Sequence, residues 1–306
     1  MKFPLAHPHL DRYSDLFEAP APTGHAGLRV TFLGVSTLLI ENGTTAIMTD
    51  GFFSRPGKLL VLGGHIAPNR PMIKAALDQA GVTKLAAVFC AHSHYDHALD
   101  APVVAELTGA MLVGSESTAN IGRGCELPEE QIHVVTPGEP MMFGAFTVTL
   151  TESIHSPNAH FEGTIDEPLF PPAKASAYSM GECYSIRIEH GRRAILVHAS
   201  ANAIPRSLTG QRAEVVYLGI APLGKQPDAF LENYWRDVVE QVGAKRVVAI
   251  HWDDFFLPLD GPLKPLPHFA DDFDRSMAFL IDKSLQTHVH IALPVAWQQT
   301  DPFAGI

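Results

Sequence analysis

Residues 91–97 read AHSHYDH, which crowds His92, His94, Asp96 and His97 into six positions directly after an apolar run. Neutral imidazole and ionised carboxylate are the usual nitrogen and oxygen ligands of zinc and similar divalent ions, and a metal centre needs three or four of them converging. The density of the motif points to a metal site rather than to a solvated polar loop. His92, His94 and Asp96 alternate, but Asp96 and His97 are adjacent, so an extended strand cannot present all four on one face. The chain must turn there. If it enters a helix through HALDAPVVAEL, Asp96 and His97 lie near a helix N-terminus, where a carboxylate is favoured electrostatically.

Such ligands need rigid carriers. Strand-like runs rich in Val, Ile, Thr and Phe and bounded by Gly, Asn and Asp recur at 28–33, 37–40, 45–49, 86–91, 146–151, 183–189, 193–198, 215–220, 247–250 and 289–293. Helical periodicity is better at 72–79, 101–107, 228–242 and 271–283. In the third of these, Leu231, Tyr234 or Trp235, Val238 and Val242 share a face, Pro227 sits near the start and Gly243 follows the end. That stripe is core. Mixed strands and helices on this scale imply an α/β fold of two sheets packed face to face with helices outside.

With 306 residues, 46% hydrophobic and 18% charged, the chain can bury a large core. No Pro/Gly/Ser linker interrupts the pattern, so residues 1–306 are expected to form a single domain, with a Pro-rich loop insertion at about 156–181. A formal net charge of −11 without clustered Lys and Arg argues against a nucleic-acid partner. No run of eighteen apolar residues and no secretion-like N-terminus appear, so no integral membrane segment is expected and a cytoplasmic location is the simplest reading. Cys90, Cys125 and Cys183 lack disulfide or zinc-finger spacing, which suits a reducing compartment; Cys90, in an apolar strand, reads as a small buried hydrophobe.

His-X-His-X-Asp-His after a hydrophobic strand resembles the signature of the metallo-β-lactamase superfamily of hydrolases, and the resemblance runs from about Val30 to about Phe256. TFLGVSTLLIENGTTAIMTDGFF looks like that superfamily's opening pair of strands, ending at Asp50. A lone histidine ends TVTLTESIH at His155, and another ends RVVAIH at His251. The resemblance implies a four-layer αβ/βα sandwich of two mixed sheets with helices outside and the site at one rim. It also implies that His92, His94 and His155 hold one metal, that Asp96, His97 and His251 hold a second, and that Asp50 orients a ligand or loop. A plain turn before Gly51 is the other reading of Asp50.

One departure matters. ILVHASAN lies where the family has a strand ending in Gly-Asp, whose carboxylate bridges the metals; here Ala199 and Ser200 occupy those positions. Two cations would repel with one fewer negative charge between them. Hydroxide could bridge instead, or only the three-histidine group fills tightly, or His198 turns inward. Asp253 or Asp254 could also supply charge, helix capping being the alternative. The expectation is an asymmetric site with zinc as one or two ions, the second weaker, manganese and iron being the other metals to consider.

A divalent metal with an open position lowers the pKa of bound water from about 16 to near 7 and polarises a carbonyl or phosphoryl oxygen. The resemblance therefore implies hydrolysis of a small-molecule ester, lactone, amide or phosphodiester, with Asp96 orienting the attacking water. The nearest pattern is the branch containing ascorbate-phosphate lactonases and N-acyl-phosphatidylethanolamine phospholipases. Residues 156–181 are expected to overhang the site as a lid, with His160 a candidate proton donor. GFFSRP brings Phe52, Phe53 and Arg55 toward the same rim, and Phe255 and Phe256 follow His251. These aromatics are candidates for an apolar pocket wall, with Arg55 available to an anionic substrate group. Two rival classes are a binding protein that lost activity with the bridging Asp, and a di-iron redox protein. Redox members usually carry Glu where this chain has His94, and they need a flavin domain or partner.

Overall fold

The computed structural model describes residues 3–22, 24, 27–157 and 160–306. Its strands form two seven-stranded mixed sheets. The first contains β1 (Arg29–Phe32), β2 (Leu38–Glu41), β3 (Ala46–Thr49), β4 (Ala87–Phe89), β5 (Met111–Gly114) and β6 (Ile132–Val134) in that order, with a C-terminal strand, Gln299–Thr300, antiparallel on the edge of β1. The second contains β7 (Pro140–Phe143), β8 (Phe146–Ser153), β9 (Cys183–His190), β10 (Arg193–His198), β11 (Val215–Gly219), β12 (Arg246–Ile250) and β13 (His290–Ala292), again in sequence order. The terminal strand is thus β14. Each sheet is antiparallel on one side and parallel on the other: β3 to β6 pair in parallel in the first, β10 to β13 in the second.

The period-two alternation explains the layering. Val30, Phe32, Leu38, Ile40, Ile47, Ala87 and Phe89 share one core with Val148, Ile186 and Ile195 of the second sheet. Their alternates Leu39, Met48, Val88 and Leu112 point the other way, onto Ile73, Leu77, Val103, Val104 and Ile121. Those five belong to α2 (Arg70–Gln79), α4 (Ala101–Thr108) and α5 (Glu116–Gly124). The short α1 (Lys58–Gly63) buries none of its residues, and α3 (Tyr95–Ala98) carries the second half of the histidine motif. Outside the second sheet lie α6 (Asp228–Tyr234), which continues into a π-helical stretch at Trp235–Glu240, and α7 (Phe273–Thr287). Tyr234 and Trp235, on either side of the change to the wider π turn, are both buried.

Helix ends follow local chemistry. The Asn69, Ser115 and Asp272 side chains accept from Met72 N, Thr118 N and Arg275 N, and Gly109 closes α4 with φ +70°. No described helix is long and apolar enough to cross a membrane. Cys90, Cys125 and Cys183 are free thiols.

Candidate metal centre

The histidine motif begins where β4 ends. Cys90 N still donates to Val113 O, and Ala91 N is taken by Asp50 Oδ1 at 2.9 Å, so the chain leaves the sheet held on both sides. His94 is the N-cap of α3, with φ −59° and ψ 152°; beyond it the backbone is helical and Asp96 sits in the first turn. This one change of backbone lets adjacent Asp96 and His97 join the cluster alongside His92 and His94. His155 comes two residues past β8, and His251 directly follows β12. His251 has φ +55°, with its N–H on Val35 O at 2.6 Å, and Val35 itself has φ +54°, uncommon for a β-branched residue.

The ligand atoms of His92, His94 and His155 lie within 4.8 Å of one another, and so do those of Asp96, His97 and His251. The two groups adjoin: the His92 and His97 ring centroids are 3.9 Å apart. Asp96 Oδ2 is 3.6 Å from His97 Nε2 and 3.5 Å from His251 Nε2, and those two nitrogens are 3.2 Å apart. Three imidazoles and then two imidazoles with a carboxylate are donor sets that suit zinc-type ions.

Hydrogen bonding fixes which ring nitrogen points inward. His97 Nδ1 is 2.9 Å from Asp50 Oδ2, which also accepts from Ser36 Oγ at 2.5 Å, so Nε2 is left for the cluster. His155 Nδ1 is 3.1 Å from the Ser156 carbonyl, again leaving Nε2. His92 differs. It is buried, and neither of its nitrogens has a hydrogen-bond partner. A buried imidazole left so is costly unless a cation takes its lone pair. Burial, reinforced by neighbouring imidazoles, holds His92 well below the ordinary imidazole value and His155 down at about 4, which keeps both neutral and able to donate lone pairs. Burial would lift Asp96, but His97, His251 and His94 outweigh it and hold the carboxylate ionised. Burial likewise opposes the charge on His97, while Asp50 and Asp96 beside it raise it overall.

Several other candidates lie elsewhere or are otherwise engaged. Arg55 is corrected: its side chain is fully buried, with Nη2 2.5 Å from Asp253 Oδ2 and Nη1 3.2 Å from Leu257 O, so it is not available to a substrate anion. Asp253 spends its other oxygen on Val35 N at 2.8 Å and is therefore no spare charge for a metal. Asp254 accepts from Phe256 N and faces Lys58 at 3.5 Å. His198 does not turn toward the cluster; Nδ1 meets Ser185 Oγ at 2.8 Å and Nε2 meets Asn202 O at 2.7 Å. Ser200 Oγ accepts from Ser156 N at 3.0 Å while Asn202 Nδ2 donates to His155 O at 2.9 Å, so the segment aligned with the missing bridge ties down the backbone of His155 instead. Phe52 and Phe53 are core.

Two aromatics do border the centre. The Phe255 ring lies 6.0 Å from His251, and Phe161 lies 6.4 Å from His94. His160 is exposed beside Phe161, whose position next to the cluster had no signal in the sequence beyond its neighbour. Ser36 was equally unmarked, a small residue in a turn. The 156–181 segment is bound down as a strap, and its first residues reach the site. Ser93, between two motif histidines, holds Ser179 O and Met180 O; Ile165 and Leu169 bond to Ser117 and Asn120 of α5; Ala173 pairs with Ile66. At the site, Ser156 O and Oγ each lie 3.1 Å from His155 Nδ1, and the Phe161 ring lies 6.4 Å from that of His94.

Residues 45–252 match the model of a family described as Beta-lactamase superfamily domain. Among curated relatives, a UPF0173 metal-dependent hydrolase of Methylocella silvestris is 30% identical over 131 residues, 42% of this chain and 48% of the relative. One of Heliobacterium modesticaldum is 29% identical over 128 residues, 42% and 45% of the two chains. The chain thus spans about half the length of these relatives. Among solved structures, an isothiocyanate hydrolase from Delia radicum gut bacteria matches with TM-score 0.56 and 15% identity over 89% of this chain and 98% of the other. The metallo-beta-lactamase fold protein YhfI of Bacillus subtilis matches with TM-score 0.53 and 16% identity over 89% and 98%. At these identities the likeness is one of fold. A family match across most of the chain, on paired mixed sheets whose strand ends gather five histidines and an aspartate, makes this protein a member of the metallo-β-lactamase superfamily.

Proposed function

We propose that this protein is a metal-dependent hydrolase of a small ester-type substrate, with zinc held by His92, His94 and His155 and a second, weaker ion by Asp96, His97 and His251. The observation that carries the reading is His92, a buried neutral imidazole with no partner for either nitrogen, set against five further ligand groups. The relatives' description as metal-dependent hydrolases points the same way. A divalent ion in such a site acts as a Lewis acid and brings the pKa of coordinated water from about 16 toward 7.

The residues divide the remaining work. Asp96 stays ionised and can orient water or hold its proton. Asp50 and Ser36 lock the His97 ring. Phe161 and Phe255 flank the cluster and offer apolar surface to an acyl group. With Arg55 spent on Asp253, a neutral carboxylic ester or lactone fits better than a phosphodiester. Ser200 brings no negative charge between the groups, which is why the second ion is the weaker. That strand ends of both sheets supply the candidate ligands supports a single catalytic domain, and three free thiols agree with a cytoplasmic setting.

The test is metal analysis of the purified protein before and after dialysis against dilute chelator, followed by turnover of a lactone, carboxylic ester and phosphodiester panel. One zinc retained, a second lost, and ester or lactone turnover that disappears in His92→Ala is the expected result. Protein without metal would overturn the reading. Two ions that survive the chelator would overturn its asymmetry, and bound iron with a visible absorption band would favour redox chemistry.

A further inference from the structure

The end of the second sheet remote from the candidate metal centre carries a cleft of about 360 Å3. It forms where the β9–β10 hairpin and the segments leading into β11 and β12 meet. β11 and β12 both run from this end toward the rim, and β12 reaches His251 after five residues, so cleft and metal centre are separated by roughly 17 Å of strand. Five basic side chains line the cleft, Arg187, Arg192, Arg193, Arg212 and Lys245, against two acids, Glu189 and Glu214. In a chain with net charge −11 this is a local reversal of sign.

The acids are already committed. Glu189 pairs with Arg187; Glu214 accepts from Ala194 N at 2.8 Å and lies 3.5 Å from Arg193 Nε. Arg193 is further occupied by the face of Phe303, 3.9 Å from its ring centre. Arg192, Arg212 and Lys245 have no side-chain hydrogen bond or ion pair among the described residues, and all three are exposed at the cleft. The helical segment ending before Gly243 brings the partial negative charge of a helix end, about half an elementary charge, which one cation more than offsets. Two cations are therefore left without a structural counterpart.

We propose that this cleft binds a compact polyphosphate anion, remote from the metal centre. Several converging guanidinium and ammonium donors in a concave site suit clustered phosphate oxygens. The lining contains no aromatic ring to stack on a base, so recognition rests on the phosphates. The cleft is compact, without the extended basic track that a nucleic-acid strand follows.

The proposal stands independently of the catalytic reading, and its test uses inorganic tripolyphosphate with the metal-loaded full chain. Calorimetric titration is run on the natural protein, on the triple variant Arg192→Ala, Arg212→Ala, Lys245→Ala, and on a control that removes as many exposed cations elsewhere, Lys84→Ala, Lys174→Ala, Arg206→Ala. Saturable binding is expected, with affinity at least tenfold lower in the cleft variant and unchanged within twofold in the control. Metal content measured after each titration separates cleft binding from extraction of the ion by the probe. Equal losses in both variants, no saturable binding, or binding that only tracks metal loss would each overturn the proposal. Thermal melting of both variants checks that the fold is kept.

Discussion

Asp50 organises the candidate centre without joining either group of converging ligand atoms. Its left-handed backbone, φ +57°, lets Oδ1 reach Ala91 N just before the motif while Oδ2 takes Ser36 Oγ and His97 Nδ1. The carboxylate therefore fixes both where the motif starts and which nitrogen of His97 faces Asp96 and His251. Asp50→Asn keeps the shape but removes the charge, and its amide cannot accept from every one of these donors. Loss of such a supporting carboxylate typically costs about 10- to 100-fold in metal affinity. Competition titration against a zinc-binding dye should show that loss for the second ion, with the His92 group less affected; unchanged affinity at both would reject the role.

At the scale of elements, the rim is assembled by three loops locked through one buried ion pair. Gly34, with φ +89°, has no room for a side chain because a Cβ there would run into the Arg55 guanidinium. Arg55 meets Asp253, Asp253 holds Val35 N, and Val35 O holds His251 N, so the loops after β1, β3 and β12 form one cross-braced unit. Arg55→Met leaves a buried carboxylate unpaired, and breaking such a pair costs about 3–5 kcal/mol. Urea unfolding should show that loss, and KM should change alike for neutral and anionic substrates; a rise confined to anionic ones would restore a substrate contact. Phe161 and Phe255 belong to the strap and the His251 loop, and replacing either with Ala should raise KM for apolar esters several-fold while leaving metal content unchanged, as read by steady-state kinetics beside metal analysis.

For the whole molecule, stability should depend on pH and on metal. Burial pushes the Asp271 carboxyl up to about 7, with Lys225 opposing. An acid whose folded pKa lies above its unfolded value of about 4 binds more protons when folded, so its contribution is fullest below pH 4 and is lost as pH rises toward 7. The loss is on the order of a few kcal/mol by the 1.4 kcal/mol per pKa unit conversion. Asp271→Asn should gain stability over the natural protein progressively from pH 4 to 7 and hold that gain above; a pH-independent difference in denaturant midpoints would contradict it. Metal bound only by the folded state stabilises by about 2.7 kcal/mol at free metal 100 times Kd. Chelation should accordingly lower Tm in the natural protein and shift it less in His92→Ala, which keeps only the weaker group, as read by scanning calorimetry.

The sequence by itself determined the candidate ligand residues, their order along the chain, the strands that carry them and the layering of two sheets, because alternation and residue chemistry are written between near neighbours. His92 through His97 could be read directly, and β8 to β12 were marked by their apolar runs. Helix α5 was not, since ESTANIGRG carries two glycines; they are there because a Cβ at Gly122 would press within 2.9 Å of Leu112, and one at Gly124 would strike the strap. Nor could the sequence show that Arg55 is consumed by a partner 198 positions away, that Ser200 braces His155 in place of bridging metals, or that the 156–181 segment is bound down along α5. Those outcomes depend on which loops packing brings together, and only the tertiary structure decides which buried charge finds which partner.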